Sequence, residues 1–390
     1  MKNGISKKVA GVGESATLVI SAKAKKMQAE GIKVINLTVG EPDFNTPDYI
    51  NAAAKKALDE GKTKYTATAG IAALRNAICD KLKRDNGLVY ASHQIVVSNG
   101  AKQALFNAVM ALVDSGDEVV IPAPYWVTYP ELVKFAGGVP VIINASESNG
   151  FKITAEQLRK AITKKTKAII INSPNNPTGA VYSEAELREL ASVIEKAGIW
   201  VISDEIYENL IYKGKHWSIA AYSDKLFERT IVVNGMSKTY SMTGWRIGYT
   251  ACSVELAAAM ENMQSHVTSN VNTMTQYAGM EALVGVGGKK FLCDMVAEFD
   301  KRRKYMVERL SGMSKISFSV PDGAFYVMVN VSKIGKGQMV AGELLEKAKL
   351  AVVPGDAFGA PEYIRLCYTV SMGDIKDGLD ALECYLKVKK

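Results

Sequence analysis

What the chain lacks narrows its chemistry first. Its five cysteines, at positions 79, 252, 293, 367 and 384, are widely spaced, so there is no CxxC pair and no zinc-ligand pattern. Isolated thiols of this kind suit a reduced, cytoplasmic protein. The three histidines, His93, His216 and His266, form no HExxH and offer no catalytic triad. No apolar run approaches the roughly 18 residues that a bilayer span requires. The basic N-terminus MKNGISKKVAGVGESATLVISAKAKK contains no arginine, and Glu14 and several polar residues interrupt what would be a signal peptide's apolar core. The stretch GVGESA, Gly11 to Ala16, is spaced like a dinucleotide-binding loop but follows SKKVA rather than a strand, so the phosphate-binding context is missing. There is no internal repeat, low-complexity tract or Pro/Ser-rich linker. A mature, soluble chain is the expectation.

What is present is an ordinary globular composition: 48% hydrophobic and 23% charged residues over 390 positions, enough to bury large cores. At roughly 100–200 residues per domain the length predicts two or three domains. Lys and Arg number 48 against 40 Asp and Glu, a formal net charge of +8. These cations are scattered and not interleaved with aromatics, which argues against a nucleic-acid surface. They read as a solvated face or a funnel for small anions.

From about residue 94 to 252 short apolar segments alternate with amphipathic ones. QIVVS, EVVIP, VPVIINA, KAIIINS, WVISDE, TIVVNG and WRIGYTA read as buried strands, and AKQALFNAVMALVDSG and SEAELRELASVIEKAG as helices between them. Unbroken apolar strands separated by helices predict a mostly parallel seven-stranded α/β sheet covered on both faces. The segments at about 1–42 and 290–390 are mixed. Helix DMVAEFDKRRKYMVERLSG precedes short strands ISFSV, AFYVMVNV and IRLCYT. A small α+β domain built from both termini is expected, with 43–289 forming the large domain.

In such sheets ligands bind at the carboxyl ends of strands, and five predicted loops there carry reactive groups. In SNGAKQAL a helix start with free N–H groups near Gly100 and Ala101 forms an anion site. Lys102 opposes the helix dipole there, a conflict that a bound anion would remove. WVISDEIY delivers Asp204 to a strand end, where it needs a cation, a donor or solvent, or else caps the next turn. Tyr207 follows it. SPNNPTG is turn-like but carries Asn176 to the same edge, and PAPYW carries Trp126. After TIVVNG comes SKTYSMTGWR. Lys238 becomes a nucleophile for carbonyls if desolvated near other cations. Ser237 and Arg246 suit a phosphate.

Together these loops resemble the fold-type I pyridoxal-phosphate enzymes, and within them the class I aminotransferases of the aspartate aminotransferase family. The likeness runs in order from about Ser15 to Arg365 through NLTVGEPDFNTP, YTATAGIAALR, NGAKQAL, PAPYW, SPNNPTG, SDEIY, SKTYSMTGWRIGY, VPGDAFG and IRLCY. It implies pyridoxal 5'-phosphate as cofactor, with Lys238 as the lysine that bonds to it and then moves the substrate's Cα proton. Asp204 would face the pyridine nitrogen, so that the ring accepts electrons. Tyr207 and Asn176 would meet the ring hydroxyl, Trp126 would stack on the ring, and Ser237, Arg246 and the N–H groups of Gly100 and Ala101 would hold the phosphate. Tyr65 resembles a tyrosine that reaches the phosphate of a neighbouring subunit, which implies a homodimer with shared sites. The Pro124 and Pro177 peptide bonds are often cis in relatives.

Arg365 resembles the arginine that grips the substrate α-carboxylate, with Gly40 letting backbone approach it; closure of the small domain over the substrate follows. A lysine in GAKQ and hydroxyls in SAT, here Lys102, Ser15 and Thr17, read a second carboxylate in the bacterial-type subgroup. The animal-type subgroup has a histidine shortly after the tryptophan, where WVTY places Tyr129. The implied reaction is ping-pong transamination between aspartate or glutamate and 2-oxoacids. Prephenate or aromatic substrates, or C–S β-elimination on the same fold, are the alternatives.

Overall fold

The computed structural model describes Gly4 and residues 16–389, with backbone alone at 16–19 and 21. Seven strands form the main sheet: β1 (Ile95–Ser98), β2 (Glu118–Ala123), β3 (Val139–Asn144), β4 (Thr166–Asn172), β5 (Trp200–Asp204), β6 (Thr230–Gly235) and β7 (Gly248–Ala251). Their order is β1-β7-β6-β5-β4-β2-β3. Only β7 runs against the rest, pairing antiparallel with both β1 and β6.

The apolar runs are continuous because both faces are covered. Along β4, Ile170 packs with Leu105 and Val109 of the Gly100–Leu112 helix, while Ile169 and Ile171 pack with Leu187, Leu190 and Ile194 of the Glu184–Ala197 helix. The side-chain period of two thus feeds two cores from one strand. Complete burial of each such Ile or Val contributes about 1.5–3 kcal/mol. The edge strand β3 departs from the expectation of uniform burial: Val139 and Ile142 are exposed, whereas β1, at the opposite edge, is buried throughout. The Glu184–Ala197 helix starts in a capping box, with Ser183 N–H donating to Glu186 at 2.8 Å, and stops at left-handed Gly198.

A second, antiparallel sheet of β8 (Ser317–Phe318), β9 (Tyr326–Asn330), β10 (Val353–Pro354) and β11 (Tyr363–Cys367) has the order β10-β11-β9-β8. Segment Ile35–Asn36 pairs in parallel with Leu350–Ala351, which joins the N-terminal region to the C-terminal one. One apolar core, containing Phe299, Phe325, Val327 and Leu379, also takes in Ile206, Tyr207 and Leu210 from the loop after β5. Cis peptide bonds occur at Ala123–Pro124, as expected, and at Ser173–Pro174. The bond before Pro177 is not cis, so the second expected cis position is corrected by three residues. Among the described residues no helix is long and apolar enough to cross a membrane.

Candidate active site

The carboxyl ends of β4, β5 and β6 open into a cavity of about 450 Å³. Lys238 reaches it from the turn after β6, and its ammonium donates to the Gly40 carbonyl at 2.6 Å. Burial lowers this amine from the ordinary 10.5 to about 8; Glu41 and Cys367 act against the shift, while Arg246 and Arg365 reinforce it. The group is therefore poised to lose its proton near neutral pH, as a nucleophile or base requires.

Asp204 ends β5 and is 3% exposed. One carboxylate oxygen accepts from the Tyr129 hydroxyl at 2.6 Å and the other from the Ile206 N–H at 3.3 Å. Burial raises its pKa to about 6, with the two hydrogen bonds opposing. At the end of β4, Asn172 fixes the neighbouring loop. Its amide donates to the Asp204 carbonyl at 2.9 Å and its oxygen accepts from the Asn176 N–H at 2.9 Å.

The Gly100–Leu112 helix starts at the cavity with no side-chain cap and no acid in its first turn. Gly100 has φ +80°, and a Cβ there would sit 2.5 Å from the Arg246 guanidinium, so only glycine allows this approach. Arg246 itself is left-handed, with φ +57°, and donates to the Thr243 carbonyl at 2.9 Å. Strain of this kind at a non-glycine residue clusters where ligands are clamped. Ser237 and Ala101 line the same wall. Lys102 places its ammonium 4.9 Å from the centre of the Trp126 ring, and desolvation, followed by Arg246, lowers its pKa.

At the opposite side, Arg365 comes from β11 and is 3% exposed. It donates to Asn176 Oδ1 at 3.0 Å and to the Thr38 carbonyl at 2.9 Å, while its buried Nε has no partner among the described residues. The guanidinium lies 4.4 Å from the Tyr326 ring centre and 5.0 Å from that of Phe358, which fixes its plane. The Tyr326 hydroxyl is 2.9 Å from that of Tyr207.

The family described as "Aminotransferase class I and II" matches residues 32–382. The chain belongs to this aminotransferase family. It is 47% identical to the probable aspartate/prephenate aminotransferase of Aquifex aeolicus, over 97% of this chain and 98% of that one. It is 45% identical to the aspartate aminotransferase of Bacillus subtilis, over 98% and 99% of the two chains. Among solved structures, the aspartate aminotransferase from Thermus thermophilus with maleate matches with a TM-score of 0.95 and 41% identity, covering 98% of this chain and 99% of that chain.

Most of the aminotransferase residues expected from sequence meet at this cavity. Gly40, Ala101, Lys102, Trp126, Asn176, Asp204, Tyr207, Ser237, Lys238, Arg246 and Arg365 line it, and Gly100 lies directly behind Arg246. Tyr65 does not join them; it is 90% exposed and lines no part of the cavity. Ser15 lies outside the described residues, as does the side chain of Thr17, whose backbone lies in the first turn of the Ala16–Ala29 helix. Sequence reasoning gave no role to Tyr326, Asn172 or Thr38. It also treated Tyr129 only as a departure from a histidine. Asn172 ends a strand and Tyr129 follows Trp126, which marks both as near the edge; Tyr326 and Thr38 carry no such signal, and the partners of all four are set by folding.

Proposed function

We propose that the chain is a pyridoxal 5'-phosphate-dependent aminotransferase acting on aspartate or glutamate and the matching 2-oxoacids. The observation that carries this reading is one cavity holding a lysine of lowered proton affinity, a buried carboxylate and two separated arginines. The donor set fits the cofactor. The glycine-lined helix start, Ser237 and Arg246 suit its phosphate, Asp204 suits a protonated ring nitrogen, and Trp126 offers a flat face. Bound there, the cofactor supplies an aldehyde and an electron-accepting ring.

The chain's own residues do the rest. Lys238, neutral in part near pH 7, takes the proton from the substrate Cα and holds it for return. Asp204, kept anionic by Tyr129 and the Ile206 N–H, holds positive charge on the ring nitrogen. Arg365 takes the substrate α-carboxylate; its planar fork at the cavity wall suits a two-point grip. Lys102 meets the side-chain carboxylate, with Ser15 and Thr17 as its partners. Segments 1–42 and 290–390 act as a small domain that closes over the substrate. Exposed Tyr65 supports a homodimer in which each subunit completes the other's phosphate site.

A second reading, broader acidic specificity that includes prephenate, is favoured by the name of the Aquifex aeolicus relative. A panel of aspartate, glutamate, tyrosine and prephenate with suitable oxoacids separates the two. Pyruvate and ammonia release from cystathionine without an oxoacid would instead indicate β-elimination. Full activity in Lys238→Ala would sink the aminotransferase assignment. Lys102→Ala is expected to raise KM for aspartate more than for alanine or phenylalanine, and equal effects would remove its proposed role.

A further inference from the structure

Behind the loop that carries Asp204 and Tyr207 lies a buried set of charges that does not line the cavity. Glu205 and Glu208 flank Ile206 and Tyr207, so one short segment offers two faces. The first face lines the cavity, and the second enters the protein. Glu205, 1% exposed, accepts from Ser203 at 2.8 Å and Ser218 at 2.6 Å, and its other oxygen is 3.0 Å from His216 Nε2. Glu208, 8% exposed, accepts from the Lys81 ammonium, from Asn234 Nδ2 at 2.7 Å and from Asn86 Nδ2 at 2.9 Å. Burial raises the proton affinity of Glu208, but Lys81 and then His216 outweigh it and hold the carboxyl below its ordinary range.

The bond to Asn234 links this cluster to catalysis. Asn234 sits at the end of β6, just before Ser237 and Lys238, and its oxygen accepts from the Gly235 N–H at 2.7 Å, so its amide is held at both ends. Beside it, the Glu205 N–H donates to the Val233 carbonyl at 2.9 Å. On the far side of Lys238, Asn209 Nδ2 donates to Thr239 Oγ1 at 3.3 Å. The two loops are therefore joined by side chains both before and after the lysine.

We infer that Glu208 is a positioning residue which, anchored by Lys81, grips Asn234 and so sets the Asp204–Tyr207 loop against the Ser237–Lys238 loop. A carboxylate is needed because three donors converge on it. Glutamine has one acceptor oxygen, and its NH₂ would face an amide that also donates. The inference rests on the proposed roles of Asp204 and Lys238.

Asn234→Ala cuts the link while leaving Lys81 and Glu208 paired. In a variant with unchanged circular dichroism, kcat is expected to fall about tenfold or more, while KM for aspartate stays within about threefold. In cofactor-free protein, the pH midpoint of Lys238 modification by an amine reagent should move by about half a unit or more, because the amine's surroundings shift. A merely structural role would move neither. If Asn234→Ala does not fold, Lys81→Met/Glu208→Leu removes both buried charges together and should give the same two changes. A kcat within about threefold of wild type with an unmoved midpoint overturns the inference. Failure of both variants to fold also overturns it, since the cluster would then be a folding element. Wild-type protein that lacks Lys238-dependent turnover would refute the aminotransferase proposal instead, so the two failures are distinct.

Discussion

Replacing Tyr129 by phenylalanine isolates one hydrogen bond on the group proposed to govern the cofactor ring. The hydroxyl donates to Asp204 at 2.6 Å, a length typical of an O–H bond to a charged oxygen. Both side chains are buried, and the Tyr129 ring keeps its edge contact with Trp126, 5.5 Å between centres, when only the oxygen is removed. A hydrogen bond to a charged group contributes roughly 1.5–3 kcal/mol. At about 1.4 kcal/mol per unit, its loss raises the Asp204 pKa by about one to two units. From about 6, the carboxyl would then titrate around neutrality or above. A protonated Asp204 cannot hold positive charge on a ring nitrogen, and with roughly half to nine-tenths of it protonated at pH 7, kcat there should fall by about two- to tenfold. The loss should shrink as pH rises and the carboxylate returns. Steady-state kinetics with aspartate from pH 6 to 9 would be compared with a double-mutant cycle against Asp204→Asn. An unchanged kcat with an unshifted pH profile, or full additivity with Asp204→Asn, would refute the assigned role.

Three further outcomes follow from the site. Cofactor-free Lys238→Met should be about 1–3 kcal/mol more stable than wild type at pH 7, because a buried ammonium is removed. Its folded-state pKa is depressed to about 8, so the cost to wild type is present below pH 8 and fades as pH rises to 10.5; chemical denaturation at pH 7 and 10 that shows an equal gap would contradict this. Gly100→Ala combines a left-handed φ, worth about 1–2 kcal/mol of strain, with a Cβ against Arg246. It should weaken pyridoxal-phosphate binding, measured by fluorescence titration, with a much smaller effect on pyridoxal lacking the phosphate. Arg365→Lys keeps the charge but loses the planar fork, and should raise KM for every amino-acid substrate alike, at least about tenfold; a rise confined to aspartate would place Arg365 on the side-chain carboxylate.

Much of the site was legible because parallel sheets impose a simple rule. An apolar run such as TIVVNG or WVISDE is a strand, and the polar residue that ends it lies at the ligand edge. That rule located Asp204, Lys238, Asn176 and Trp126 before any contact was known. It had no hold on Tyr129, whose hydroxyl meets a carboxylate 75 residues away. Nor did it detect the Lys81–Glu208–Asn234 cluster, since Glu208 reads in sequence as one more surface acid after a tyrosine. The same limit explains β3. Its sequence VPVIIN is as apolar as that of a central strand, and only sheet order makes it an edge.

By itself, then, the sequence determined the element types, the alternation that makes the sheet parallel, and the family through its ordered loops. Those properties depend on local periodicity and short-range spacing. Tertiary structure alone decided which groups meet and in what charge state. Arg365 reaches Asn176 from 189 residues away, Lys238 touches Gly40 across 198, and the proton affinities of Lys238 and Asp204 follow from burial. Desolvation and hydrogen-bond geometry are properties of a neighbourhood in space, and the order of residues along the chain does not specify that neighbourhood until it folds.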